Sequence, residues 1–170
     1  LSAKVAKDLK MGTINIGSSG SIIATNYKNK AGKVVINSQD SGLINMAGNI
    51  DVSSSNLKVP SGYISVQGKT IYHRGKIKAN GEYGGKVQLL SKDMLALDGV
   101  IEANGSSSEG GEIIIMSEKT LLSSAKSKIE AKGKDKGGKI RSFANLINVT
   151  SGQLNVDAEA GEGGLIDVEG

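Results

Sequence analysis

The chain has 170 residues, with 21 basic and 17 acidic side chains and a formal net charge of +4. It contains no cysteine, which excludes a disulfide framework and a thiolate metal site, and no apolar run approaches the roughly 18 residues of a membrane-spanning helix. Only five residues are aromatic, whereas 24 are glycine, so a narrow core of stacked aliphatic side chains is favoured over a wide globular core.

Residues 1–31 precede the regular pattern and predict an irregular first rung or end. Val5, Leu9 and Met11 suit a preceding rung, whereas Leu1, Val5 and Leu9 also suit a short helix, and both interpretations stay open. The sequence opens without a cleavage signal, so we expect any targeting segment to lie outside it or to have been removed.

A glycine pair recurs at a nearly fixed interval in the second half of the chain. The pairs Gly84-Gly85, Gly110-Gly111, Gly137-Gly138 and Gly163-Gly164 lie 26, 27 and 26 residues apart. A fixed period of roughly 20 to 50 residues is typical of a solenoid.

Three series of apolar residues share this period, each with the alternation of a half-buried strand. The first follows the glycine pair or its equivalent and contains Val34, Ile36, Ile64, Val66, Val87, Leu89, Ile113, Ile115, Ile140, Ser142, Ile166 and Val168. The second is less regular and contains Ile14, Ile16, Ile44, Met46, Ile71, Leu95, Leu97, Leu122, Ile147 and Val149. The third contains Ile22, Ala24, Ile50, Val52, Ile77, Ala79, Ile101, Ala103, Ile129, Ala131, Leu154 and Val156. We predict that all three series point inward.

The spacing of two of these series predicts the fold. Val34 to Ile166 and Ile22 to Leu154 both span 132 residues in five steps, a mean of 26.4. Each segment is too short to bury its apolar face alone, but equivalent segments of successive turns can pair as parallel strands. We therefore predict an all-β fold, a parallel β-helix (solenoid) with about 26 residues per three-strand rung and roughly six rungs, in which residues 1–170 form a single domain.

Glycine marks one corner of the predicted rung. A sharp corner needs either a positive φ or a close approach of two backbones, and a residue without Cβ allows both. The structural glycines of this corner are Gly85, Gly111, Gly138 and Gly164. The residues that follow in three successive rungs are Lys86, Glu112 and Lys139, so charges of alternating sign should stack outside the corner.

Two segments break the period and are the candidate binding loops. Residues 53–61 contain the only proline and predict a loop insertion beside the rung, while residues 132–136 read KGKDK and predict a basic corner. The candidate binding residues are Lys58, Val59, Pro60, Lys132, Lys134 and Lys136. The alternative is that both segments are tolerated insertions without a binding role.

The net charge is unevenly distributed along the chain. Residues 142–170 carry five acidic and no basic side chains, so residues 1–141 carry 21 basic and 12 acidic ones, a net charge of +9. A basic surface could bind polyanions such as glycosaminoglycans or lipid head groups. The alternative is that the lysines keep the sheet surfaces soluble and block edge pairing.

The chemistry of catalysis is not predicted by any cluster in the sequence. His73 is the only histidine, and we expect it on a turn surface rather than as a catalytic base or a zinc ligand. Parallel β-helices that cleave polysaccharides need clustered carboxylates on neighbouring rungs, whereas Asp93 and Asp98 have no acidic counterpart in the next rung. We therefore expect no enzymatic activity, no metal and no cofactor. Nucleic-acid binding is not expected either, because aromatic residues are not interleaved with the basic ones.

Three segments, GGKVQLLSKDMLALDGVIEANG, GGEIIIMSEKTLLSSAKSKIEAKG and GGLIDVEG, resemble the repeats of two-partner-secretion exoproteins of the filamentous-haemagglutinin-like family. The pattern of that family is Gly-Gly-x-Val/Ile-x-Val/Ile, a spacer, and then Gly-x-Ile-x-Ala-x-Gly. Residues 99–105 match the second half of the pattern closely and residues 129–133 nearly match it. The resemblance covers roughly residues 32 to 170, and the Asn-Pro-Asn type of secretion motif is absent.

The resemblance implies a right-handed parallel β-helix that forms part of a long fibre and has no catalytic role. It also implies export through an outer-membrane transporter partner, secretion to the bacterial cell surface, and adhesion to host glycans or proteins. Some relatives are glycosylated on Asn-x-Ser/Thr, which makes Asn104 and Asn148 possible glycosylation sites. Two alternatives stay open: a protein that captures a ligand, for example a haem carrier, through residues 53–61, and a polysaccharide lyase or hydrolase.

Overall fold

The computed structural model describes residues 2–4, 12–25, 30–38, 42–54, 56 and 61–170. Within these residues every regular element is a β-strand, and no helix occurs. In chain order the strands are β1 (Ser2–Lys4), β2 (Thr13–Ile16), β3 (Ser21–Ile23), β4 (Lys33–Asn37), β5 (Leu43–Met46), β6 (Asn49–Asp51), β7 (Tyr63–His73), β8 (Lys76–Lys78), β9 (Lys86–Leu97), β10 (Val100–Glu102), β11 (Glu112–Ser117), β12 (Thr120–Ser123), β13 (Lys128–Glu130), β14 (Lys139–Ala144), β15 (Ile147–Thr150), β16 (Gln153–Asn155) and β17 (Leu165–Glu169).

The strands stack in three columns, which we call the first, second and third faces. The first face is β1-β4-β7-β9-β11-β14-β17, the third is β3-β6-β8-β10-β13-β16, and the second is β2, β5, the later parts of β7 and β9, β12 and β15. Every pairing between these strands is parallel. Successive turns of the chain therefore lie about 4.8 Å apart. The prediction of a parallel β-solenoid is confirmed, and the described strands make about five turns.

Most residues of the first and third apolar series occupy the core as predicted, but Ile166 and Val168 of the last rung are 41% and 49% exposed. Strand pairing aligns Val34, Ile64, Val87, Ile113, Ile140 and Ile166 on the first face. It aligns Ile22, Ile50, Ile77, Ile101, Ile129 and Leu154 on the third face. In the middle rungs these side chains are buried in one continuous cluster. Burying an aliphatic side chain of this size stabilises the fold by about 1.5–3 kcal/mol, so the stacked column is the main source of stability.

The predicted second series is wrong in its last two rungs. Leu121, not Leu122, pairs with Leu95 and is fully buried, whereas Leu122 points outward and is 39% exposed. In the next rung Asn148 pairs with Leu121, so Ile147 and Val149 also point outward. A shift of one residue moves every side chain of a strand to the opposite face. Two adjacent leucines fit either alignment, which is why the alternation alone placed this strand incorrectly.

Residues 1–31 and 53–61 are described only in part. Within 1–31, the strands β1, β2 and β3 pair in parallel with β4, β5 and β6. Residues 5–11, on which the choice between strand and helix depended, lie outside the described residues. The same holds for Ser55 and residues 57–60 of the predicted loop insertion. The right-handedness of the coil stays a prediction.

Close backbone approach, rather than a positive φ, explains the glycines at the corner between the third and first faces. A Cβ on Gly111, Gly138 or Gly164 would overlap the carbonyl oxygen of the equivalent glycine one rung earlier, and φ lies outside the left-handed region at each. The first glycine of a pair is constrained by the following rung instead. A Cβ on Gly137 would overlap the carbonyl oxygen of Val156, whereas a Cβ on Gly163, the equivalent residue of the last rung, meets nothing.

The only histidine lies in the core, which contradicts the prediction of a turn surface. The His73 side chain points inward, fully buried, at the position that Met46 and Leu97 occupy in the neighbouring rungs. Its Nε2 lies 3.2 Å from the carbonyl oxygen of Val100, and Nδ1 has no hydrogen-bond partner. Because a carbonyl oxygen can only accept, Nε2 carries the proton of the neutral ring. Burial lowers the pKa of His73 to about 4, although the hydrogen bond to Val100 opposes the shift.

Comparing Gly137→Ala with Gly163→Ala tests the stacking of rungs at the glycine corner. We expect Gly137→Ala to lower the free energy of unfolding by about 2 kcal/mol or more, because backbone must move to accommodate the methyl group. Gly163→Ala should leave stability unchanged or raise it by up to about 1 kcal/mol, because it restricts only the unfolded chain. Urea unfolding monitored by circular dichroism measures both. Equal effects of the two substitutions would contradict the close approach of successive rungs.

The buried histidine predicts a loss of stability in mild acid. The unfolded chain binds a proton at His73 below about pH 6.5, whereas the folded chain binds it only below about pH 4, so stability falls as the pH drops through this window. The contribution is about 3 kcal/mol between pH 7 and pH 4. Urea unfolding of the wild type and of His73→Met at both pH values measures it, because methionine is the side chain at the equivalent Met46 position. Identical pH dependence of the two proteins would show that His73 titrates normally.

Candidate functional surfaces

The predicted basic corner is neutralised in part by one buried carboxylate. The Nζ atom of Lys132 lies 2.7 Å from Oε1 of Glu130, and that of Lys128 lies 3.1 Å from the same oxygen. Lys134 and Lys136 are exposed, and the backbone of Lys136 bridges to Glu109 in the previous rung and to Glu162 in the next. Of the three predicted binding lysines at this corner, Lys132 is held in an ion pair and the other two remain accessible.

Glu130 is the carboxylate around which this corner is organised. Burial by itself would raise the pKa of Glu130, but hydrogen bonds from Lys132 and Lys128 outweigh burial and hold it below its usual value. The same bond to Glu130 raises the pKa of Lys132. Glu130 and Lys132 therefore each favour the charged form of the other, and one carboxylate is shared by two lysines, so the cluster keeps a net positive charge.

Alternating charge also flanks the glycine corner. The Nζ atom of Lys86 lies 2.6 Å from Oε2 of Glu112, and Lys139 pairs with Glu112 in the adjacent strand. The predicted stacking of charges of alternating sign along the solenoid axis is therefore confirmed. The backbone of the corner glycines forms the floor of a groove. The row of Lys86, Glu112 and Lys139 borders the groove on one side, and the row of Glu109, Lys136 and Glu162 borders it on the other. Its walls carry both signs of charge, which favours solubility over selective binding of a polyanion.

Asn104 belongs to a ladder of side-chain hydrogen bonds at the end of the third face. The backbone N–H of Asn80 donates to Oγ of Ser53 at 3.1 Å, that of Asn104 donates to Oδ1 of Asn80 at 2.8 Å, and that of Lys132 donates to Oδ1 of Asn104 at 2.8 Å. Each rung thus offers a side-chain acceptor to the backbone of the next rung. The asparagine predicted as a glycosylation site is half-buried and helps to hold successive rungs together.

Asn148 points toward the open end of the core. Its Nδ2 donates to the carbonyl oxygen of Glu169 at 2.7 Å and to that of Ser142 at 3.2 Å. Oδ1 accepts from Oγ1 of Thr150 at 3.2 Å. The nitrogen that a glycan would modify is therefore engaged with the backbone of the last two rungs.

The remaining sequence-based expectations concern the candidate loop, a metal site, a membrane-spanning helix and a catalytic histidine. Lys58, Val59 and Pro60 lie outside them, so their role as a binding loop stays a prediction. Groups of three or more His, Cys, Asp and Glu side chains suited to a metal ion are absent from the described part of the chain. Within the same residues, no helix is long and apolar enough to cross a membrane. His73 is enclosed by the core and cannot contact a substrate.

An exposed apolar stripe runs along the second face. Strand pairing places Tyr72, Ala96, Leu122 and Val149 in one outward column. In the column beside it, Met94 and Ile147 alternate with Thr70 and Thr120. Ile147 and Val149 are 50% and 46% exposed. A groove borders this second-face stripe, with Arg74 and Asp98 at its edge. A contiguous exposed apolar surface marks an interaction surface more reliably than scattered apolar residues do.

Sequence reasoning missed this stripe because it assigned Leu122, Ile147 and Val149 to the core. The signal that could have found it is the pair Leu121-Leu122, because only one of two adjacent leucines in a strand can point inward. A smaller apolar row formed by Leu90, Met116 and Phe143 runs along the first face. Glu169 follows Phe143 in this row, and Arg141 and Asp167 lie in the column beside it.

Compared with models of known protein families, with curated proteins and with solved structures, the chain has no match.

The asparagine ladder predicts a different cost for two substitutions at one position. Asn104→Ala should lower the free energy of unfolding by about 1–3 kcal/mol, because it leaves the backbone N–H of Lys132 without its acceptor. Asn104→Asp keeps an oxygen acceptor at this position and should lose less. Urea unfolding of both variants measures the difference. If Asn104→Asp is as destabilising as Asn104→Ala, the acceptor is not what matters at this position.

Proposed function

We propose that this chain is a non-catalytic β-helical segment of a secreted bacterial surface adhesin, of the two-partner-secretion type. It serves as a rigid scaffold whose outer faces bind host glycans or proteins. The observation that carries this proposal is the uniform rung. From β7 to β17, equivalent strands of successive turns pair in parallel, with one register shift between Gly68 and Thr70, and they place aliphatic side chains inside and polar or charged side chains on most of the outside. A unit that repeats along one axis builds a rod, which suits presentation of a binding surface away from a cell.

The charges on the rod support its regular stacking. Ion pairs join successive rungs on two faces, with 2.7 Å between Lys76 Nζ and Glu102 Oε1 and 2.6 Å between Lys86 Nζ and Glu112 Oε2. Exposed pairs of this kind contribute only about 0–1 kcal/mol each, but they favour one alignment of neighbouring rungs. The absence of cysteine is compatible with passage through a transporter partner as an unfolded chain, because folding then requires no disulfide.

Antibodies against the purified chain test the proposed location and role. They should label intact cells of the source bacterium, and protease added outside the cells should remove the label. Beads coated with the purified chain should adhere to host cells or to immobilised glycans above the level of albumin-coated beads. The chain should release no reducing ends from polysaccharides.

An antibody against a cytoplasmic protein is the control for cell integrity in this experiment. Labelling that appears only after permeabilisation would refute the surface location. Depolymerisation of a polysaccharide by the chain, abolished by changing outward carboxylates to amides, would replace the adhesin with a carbohydrate-active enzyme.

A further inference from the structure

The second-face stripe is bordered on both sides by side chains of defined charge. Immediately before the strands of this face, successive rungs carry Lys69, Asp93, Lys119 and Leu146. Immediately after the strands, the same rungs carry Arg74, Asp98, Ser124 and Ser151. We call these two rows the leading edge and the trailing edge. The apolar column of Tyr72, Ala96, Leu122 and Val149 lies between them.

Within one copy, only some of the charged side chains of the two edges form an ion pair with a neighbour along the solenoid axis. Lys119 Nζ lies 2.7 Å from Asp93 Oδ1 on the leading edge. On the trailing edge Arg74 Nη2 donates to Asn45 Oδ1 at 3.1 Å, and Ser124 Oγ donates to Asp98. Arg74 and Asp98 thus engage neighbours on opposite sides rather than each other. Their charges border the stripe and would face any sheet that packs on it.

Two symmetric arrangements would place this face against the same face of a second copy. In the first arrangement the two solenoid axes run parallel, and each rung faces the same rung of the second copy. The strands of the second copy then run in the opposite direction, so the leading edge of one copy faces the trailing edge of the other. Lys69 would then face Arg74, and Asp93 would face Asp98. Both contacts bring like charges together, which is unfavourable.

In the second arrangement the two solenoid axes run antiparallel. The strands of both copies then run in the same direction, but the rungs of the second copy follow in the reverse order, so each leading edge faces the other leading edge. Asp93 then faces Lys119 of the second copy, and Lys119 faces Asp93, while Lys69 faces Leu146. Arg74 faces Ser151, and Asp98 faces Ser124. No like charges meet, and two additional ion pairs form across the two-fold axis.

The apolar column is also self-complementary in the antiparallel arrangement. Tyr72 faces Val149 of the second copy and Ala96 faces Leu122, so a large side chain meets a smaller one at every position. Alternation of large and small side chains is what lets two sheets interdigitate at about 10 Å. We propose that the second face is a self-association surface on which a second copy of this chain packs with its solenoid axis antiparallel.

The size of the surface predicts how tight this association is. Four rungs at about 4.8 Å and six residues at about 3.3 Å give roughly 400 Å² for each copy. A standard stable interface buries about 800 Å² for each partner. The dimer should therefore dissociate readily and be populated only at high protein concentration. A solenoid with more rungs of this kind would bury a larger interface and should dimerise more tightly.

Sedimentation equilibrium over a concentration series tests the proposal. The average mass should rise toward that of a dimer as the concentration approaches about 1 mM, a range suited to a weak interface. Leu122→Glu should keep the protein monomeric across the series. Met116→Glu is the matched control, because Met116 is also 39% exposed but lies on the first face. Circular dichroism confirms that both variants fold.

A monomeric wild type across the series overturns the proposal, and so does a dimer that Leu122→Glu leaves intact. A dimer that Met116→Glu abolishes would instead place the contact on the first face and would also overturn it. None of these results affects the proposed surface location, which is measured on cells.

The orientation is tested by crosslinking, because the native chain has no cysteine. A mixture of the Arg74→Cys and Ser151→Cys proteins, treated with a short bis-maleimide, should give a crosslinked heterodimer. Each protein alone should give little product, because its own cysteines lie three rungs, about 14 Å, apart along the axis of the antiparallel dimer. Equal crosslinking of either protein with itself would overturn the antiparallel arrangement.

Discussion

Parallel stacking of equivalent strands in register is the constraint on which the rest of this structure depends. A rung of three short strands cannot bury its own inward side chains, and it does so only between the rungs above and below. The column from Ile64 through Val87 and Ile113 to Ile140 shows the result: each residue rests on others of similar shape and is fully buried. The exposure of Ile166 in the last described rung shows the converse, because no strand pairs beyond it there.

The same stacking determines which side chains the corners accept and how the outer surface is organised. At a spacing of about 4.8 Å, glycine is the residue that lets the carbonyl groups of successive corners approach. Asparagine contributes in the same connection between the third and first faces, where Asn80 and Asn104 each offer a side-chain acceptor to the backbone of the next rung. On the outer surface, charged residues at equivalent positions of successive rungs lie in rows along the axis. Lys86 therefore forms an ion pair with Glu112, and Asp93 forms one with Lys119. The surface is thus defined by rows along the axis rather than by a pocket.

The fold was predictable because the first and third series keep a nearly constant spacing, so an aliphatic residue falls at the same place in each rung. Val87 and Leu89, or Ile101 and Ala103, can point only one way if an apolar face is to be buried. The second face was less predictable because Leu121 and Leu122 are both apolar, and because Asn148 lies between two outward aliphatic residues. His73 follows Ile71 by two positions, so alternation did place it inward, but its polarity suggested a surface.

The candidate surfaces were less predictable than the fold. Lysines 132, 134 and 136 form a basic cluster in the sequence, yet Glu130 neutralises part of it through a contact that depends on side-chain placement. The role of Asn104 as an acceptor depends on the backbone of Lys132, 28 residues later, and no local pattern contains that information. The apolar stripe became recognisable only once the alignment of β12 and β15 was known, because its members are the residues that a shifted alignment would bury.

Substitution of two adjacent leucines tests the in-register stacking most directly. Leu121 is fully buried and Leu122 is 39% exposed, although both lie in β12 and have the same side chain. Leu121→Ala should lower the free energy of unfolding by about 2–5 kcal/mol, the usual cost of removing a buried leucine. Leu122→Ala, measured at low protein concentration, should change it by about 0.5 kcal/mol or less. A larger loss for Leu122→Ala than for Leu121→Ala would show that β12 is aligned the other way and would contradict the structure described here.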